Sequence, residues 1–166
     1  MADGRSELST DDFAITAYRE DGAWVVAPLP PSAADGLESL MHALRQQPGE
    51  GGSLGLVSVG DDFFVAVRVF GNDEWLLLSD VTAAQDWPLA REVLDRLELP
   101  MPVGDELDQV QPAGDLSAFA DLGMPPMEVA MLCEDPDLYP DEMLSSIAVR
   151  LGFGEEFEAA VDQILD

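Results

Sequence analysis

From Phe13 onward the chain alternates apolar with small or polar positions: Phe13, Ile15 and Ala17, then Glu20-Asp21-Gly22, then Trp24-Val25-Val26-Ala27. A period of two, a glycine-containing turn and a second apolar run predict a β-hairpin. Pro28, Pro30 and Pro31 end its second strand, because proline cannot donate to a sheet ladder. The period then lengthens: Leu37, Leu40, Met41 and Leu44 sit at i, i+3, i+4 and i+7, one face of a helix, and Pro48-Gly49 stops it. Strand-like runs resume at Leu54 to Val59, Phe63 to Phe70 and Glu74 to Leu78. Gly60-Asp61-Asp62 and Gly71-Asn72-Asp73 separate them as short antiparallel turns. Leu89, Val93 and Leu97 mark a second helix from Pro88 to Leu97, with proline in its first turn.

The order ββαβββα predicts an α+β fold: an antiparallel sheet of about five strands with helices on one side. Phe63 to Phe70 is apolar on both alternating sets apart from Arg68, which makes it the expected central strand. Burying both of its faces requires a layer on each side of the sheet or an oligomer interface. Residues 12–99 form this α+β domain, preceded by a mobile tail over 1–11. Residues 100–115, with Pro100, Pro102, Gly104, Pro112 and Gly114 among acids, read as a linker. Beyond it, residues 116–166 read as a small α-helical C-terminal module. A short helix near Leu116 to Leu122 opens it, and Met127, Ala130 and Met131 suggest a face on the next helix. Met143, Leu144, Ile147, Ala148 and Leu151 give a clearer face, and Phe157, Ala160, Val161, Ile164 and Leu165 the cleanest. Gly152 ends the middle helix, and Glu155-Glu156 sit where negative charge favours the last helix's dipole.

Composition changes this picture through charge. The 166 residues hold 34 acids against seven arginines and no lysine, a formal charge of −27. Residues 1–96 carry 17 acids and 6 arginines, while residues 97–166 carry 17 acids and Arg150 alone. Such a surface repels phosphates and anionic membranes over roughly 8 Å at physiological salt and attracts basic protein surfaces over the same range. Direct nucleic-acid binding is therefore not expected, even from a three-helix module, since duplex binding relies on Lys and Arg neutralising phosphates. With 47% hydrophobic residues in a patterned order, the chain is expected to fold despite its charge. It shows no signal-peptide start and no apolar run of the roughly 20 residues a membrane span needs, so the expected location is the cytoplasm.

Candidate chemistry is sparse. The densest acid cluster is Glu134, Asp135, Asp137, Asp141 and Glu142, expected to contact a partner. It fails as an EF-hand: counted from Asp135, Tyr139 fills the fifth position, Pro140 replaces the turn glycine and Ser146 stands twelfth. A loop whose carboxylates cap the next helix is the competing reading. His42, the sole histidine, lies inside the first helix; Cys133, the sole cysteine, reads as a small buried hydrophobe, and a lone cysteine rules out an intramolecular disulfide or a four-cysteine zinc site. Ser79-Asp80 follows a strand as an N-cap. Gly49-Glu50-Gly51-Gly52 lacks the Lys-Ser/Thr of a phosphate loop. Neither H-x-E nor P-C-x-x-C is present, so the chain is not a zinc deaminase. No catalytic residue, metal ligand or cofactor is expected.

Several strings carry a resemblance. Trp75-Leu76-Leu77-Leu78-Ser79-Asp80, Pro112-Ala113-Gly114-Asp115, Asp121-Leu122-Gly123, and Tyr139-Pro140-Asp141-Glu142 through Leu151-Gly152-Phe153 resemble the actinobacterial family of tRNA adenosine deaminase-associated proteins over nearly the whole chain from Phe13. The resemblance implies an association with that enzyme inferred from gene neighbourhood, and it brings no catalytic residues. The expectation is a non-catalytic accessory or regulatory protein, meeting a basic protein surface that the resemblance would place on the deaminase. A self-associating structural or sensing domain, a homodimer through the two-sided strand, is the alternative.

Overall fold

A computed structural model describes residues 12–47 and 52–165. The expected tail over 1–11 and the Pro48-Gly49 helix stop lie outside them. The strands are β1 (Phe13–Glu20), β2 (Ala23–Pro28), β3 (Ser53–Val59), β4 (Phe63–Phe70), β5 (Asp73–Leu78) and β6 (Ala113–Gly114). The helices are α1 (Leu37–Arg45), α2 (Pro88–Arg96), α3 (Pro126–Cys133), α4 (Pro140–Leu151) and α5 (Gly154–Leu165), with short 3-10 turns between several of them. One antiparallel sheet runs β2-β1-β3-β4-β5-β6. It has a sixth strand because two residues of the Pro/Gly-rich stretch after α2 pair with Leu77 and Leu78.

β4 lies inside the sheet, and both of its faces are buried. Val57, Val65, Val67 and Leu78 face α1 and α2, with Leu40, Leu44 and Val93 packed over them. Phe13, Ile15, Leu56, Phe64 and Leu77 face the opposite way, under Ile147 and Leu151 of α4, Phe157 of α5 and Phe153 between the two helices. The Phe13 and Phe157 rings meet edge to face, 5.8 Å between centroids, and Trp24 tilts over Phe153 at 4.6 Å. The two-sided apolar strand is thus satisfied by a layer on each side within one chain.

Two glycines let elements approach closely. Gly55 sits under α1, where an added Cβ would lie 2.9 Å from Leu44 Cδ1. Gly114 has φ +107°, and a Cβ there would overlap the Leu76 carbonyl oxygen. Beside it, Asp115 N–H donates to Leu76 O at 2.7 Å, and Leu76 N–H donates to Asp115 Oδ2 at 3.0 Å. Gly114→Val is expected to strip β6 from the sheet and cost at least about 2 kcal/mol, combining left-handed strain with steric overlap. The denaturation midpoint and the exchange protection of the Leu76 amide measure it; an unchanged Leu76 amide would contradict it.

Candidate functional site

The C-terminal end of β5, the β3–β4 turn and the α3–α4 loop meet around a cleft of about 320 Å³. Its lining carries five carboxylates, those of Asp61, Asp62, Asp80, Glu134 and Asp135, with Ser79, Cys133 and Met143 among its other walls. Each element is held locally. Ser79 Oγ accepts from Phe64 N–H at 2.8 Å, and Asp80 Oδ1 caps the turn after β5 by accepting from Thr82 N–H at 2.9 Å. Asp62 Oδ2 accepts the Trp87 indole N–H at 3.1 Å. In the α3–α4 loop, Asp135 Oδ1 accepts from Asp137 N–H at 2.9 Å, closing an Asx turn. Glu142 Oε1 accepts from Tyr139 N–H at 2.9 Å and so caps α4.

Of the acid cluster picked out in the sequence, Glu134 and Asp135 therefore face the cleft, while Asp137, Asp141 and Glu142 are exposed outside its lining. Asp61, Asp62 and Asp80 join it from strand ends that sequence reading treats as turn and cap residues. That reading names their local role and misses that the topology carries them to one place. No histidine lines the cleft: His42 is exposed on α1, across the sheet. Burial, with Glu134 adding to it, pushes the Cys133 thiol up to about 12, which keeps it protonated and unreactive at neutral pH. Among the described residues, no three His, Cys, Asp or Glu side chains are placed to hold a metal ion.

A different pair holds the helical layer to the sheet. Arg68, the single charged residue inside β4, is buried and forks onto Asp121, with Nη2 donating to Oδ2 at 3.0 Å. Its Nη1 also donates to Ala118 O at 3.0 Å, and its guanidinium lies 5.2 Å from the Trp75 ring centroid. These bonds hold the Asp121 carboxyl below the usual carboxylate range. Elsewhere Arg96 forks onto Glu74 and lowers its pKa, Arg45 approaches the same carboxylate at 3.6 Å, and Arg150 binds Glu128 at 2.8 Å. Arg91 donates to Ala84 O, and Arg19 lies over the Trp24 ring. Every described arginine is thus engaged within the chain, and the unopposed charge facing outward is negative.

The Rv3753c-like tRNA adenosine deaminase-associated protein family model matches residues 12–154, which run from the start of β1 through α4 to the first residue of α5. The chain belongs to that family. Protein Rv3753c of Mycobacterium tuberculosis (strain ATCC 25618 / H37Rv) is 37% identical to it over 156 residues, covering 93% of this chain and 90% of the relative. No solved structure matches it. The matched region thus includes the whole sheet, α1 to α4 and all five cleft carboxylates. Among the described residues, no helix is long and apolar enough to cross a membrane.

Proposed function

We propose that this protein is a non-catalytic accessory of the tRNA adenosine deaminase, docking in the cytoplasm through its acidic surface onto a basic surface of the enzyme. Membership of a family named for association with that deaminase carries the reading, and the charge distribution gives it physical form. An enzyme that handles tRNA must present cations to phosphates. A protein of charge −27 whose described arginines are all engaged is attracted to such a face and repelled by the RNA itself. It would then govern tRNA access without touching tRNA. The buried, protonated Cys133 and the remote His42 support a non-catalytic role.

The test is affinity capture of the deaminase from a native lysate by the full-length chain at two salt concentrations. Co-elution at low salt, falling steeply as salt rises and displaced by added tRNA, is expected because exposed charge pairs are screened beyond a Debye length. No deaminase recovered at low salt would sink the reading.

A further inference from the structure

Helix α3 is apolar nearly all the way round. Val129 and Cys133 are buried on its inner side, yet Met127 and Met131, one turn apart, are 75% and 67% exposed. A helix apolar on all sides ordinarily belongs inside a protein, and here the outer stripe projects from the fold. On α4, Val149 is 66% exposed and borders the same groove as Met131. That groove, of about 510 Å³, has buried Met124 and half-buried Leu132 in its walls. Beyond Val149 a second hollow of about 540 Å³ continues to the start of α5. Carboxylates edge both: Glu128 and Asp135 along the first, Glu155, Glu156 and Glu158 along the second. The cation in the lining, Arg150, is already bound to Glu128.

The pattern selects its occupant. A second copy of this chain would bring two acidic rims together, and like charges across an interface are costly. A nucleic acid would meet the same repulsion. A helix with one apolar stripe and basic flanks fits both the exposed apolar side chains and the rim, and a groove between two helices is the form in which amphipathic helices are received. Methionine thioethers adapt their shape to such a guest. We propose that the α3–α4 groove docks a basic amphipathic helix of a protein partner, its apolar side chains on Met131 and Val149 and its Lys or Arg side chains on Asp135, Glu155, Glu156 and Glu158. The proposal rests on the accessory reading only for the partner's identity.

The full-length chain is titrated against a labelled Leu/Lys peptide of roughly 18 residues, long enough for helix formation, with leucines at helical spacing. A scrambled peptide of equal composition is the comparison. The patterned peptide should bind at least about tenfold tighter than the scramble. Val149→Asp should weaken it by about tenfold or more and lower Tm by no more than about 4 °C, the effect of an acid in the last turn of α4, whereas Val149→Leu retains binding and Glu38→Gln, across the sheet, changes it less than about twofold. Equal binding of the two peptides, or undiminished binding by Val149→Asp, would show that the acid field acts alone and overturn the groove. So would light scattering of a dimer that Val149→Asp converts to a monomer, which would give the groove to a second copy. Deaminase capture separates this from the accessory reading. Patterned binding with no deaminase captured leaves the groove standing and removes that partner; capture unaffected by Val149→Asp leaves the association standing and removes the groove as the deaminase's docking site.

Discussion

A chain ended after Leu99 is expected to aggregate or to lose its cooperative melt, although it retains every strand from β1 to β5 and both helices of the first layer. The cut uncovers Phe13, Ile15, Leu56, Phe64 and Leu77, which the intact protein buries under α4, α5 and their neighbours. Returning one large apolar side chain to water costs about 1.5–3 kcal/mol. Five of them amount to roughly 10 kcal/mol, the size of a typical domain's whole stability. The measurement is size-exclusion chromatography with a thermal melt. Adding a separate fragment of residues 100–166 should restore a soluble one-to-one complex. A monomeric fragment with a sharp melt on its own would show that the two parts are energetically independent.

The second large effect is an asymmetry at the Arg68–Asp121 pair. The Arg68 side chain is 5% exposed and that of Asp121 66%, so the two removals leave different things behind. Asp121→Ala takes the carboxylate from a buried guanidinium that keeps the Ala118 carbonyl and the Trp75 ring, at a cost of about 3 kcal/mol. For a chain of this length that lowers Tm by roughly 6–12 °C. Arg68→Met keeps an apolar stem of similar reach and lets Asp121 hydrate; it costs about 1–2 kcal/mol, mostly for the Ala118 carbonyl that loses its donor. Asp121→Ala should therefore be the less stable variant, and the reverse order would refute the account. A pH series adds a sign. Because Arg68 holds the folded Asp121 below its ordinary value of 3.8, the pair's contribution is complete above that value and is lost as pH falls through the lowered one. The gap between wild type and Asp121→Ala should then narrow as the solution is acidified through that range.

Much of this architecture is legible wherever a local signal exists. Period-two runs bounded by Glu20-Asp21-Gly22, Gly60-Asp61-Asp62 and Gly71-Asn72-Asp73 become β1 to β5, because a short glycine turn leaves a strand little choice of partner. The doubly apolar β4 announces that both faces are covered, by a second layer or by another copy, and the C-terminal helices supply the layer. Ala113–Gly114 does not announce itself as a strand, since two residues have no period; its pairing comes from Asp115 bonding Leu76 across the chain. Met127 and Met131 do share a helix face, but it points outward while Val129 and Cys133 point in. On a helix apolar nearly all round, spacing cannot say which stripe is buried. The cleft was half visible: Glu134 and Asp135 stand in an obvious acid run, whereas Asp61, Asp62 and Asp80 reach it only through the sheet's topology. Asp121 as the partner of Arg68, 53 positions earlier, leaves no sequence signal.

That the second face of the sheet is roofed by the last part of the chain has a consequence for synthesis. Strands β1 to β5 pair largely with near neighbours in sequence and can assemble as they emerge, since local contacts carry a small closure cost. At roughly 5–20 residues per second, residues 100–160 follow about 3–12 s later. For that interval a nascent molecule carries paired strands with one apolar face uncovered and no stable fold of its own, and electrostatic repulsion between chains, rather than a finished interior, keeps neighbours on a polysome apart.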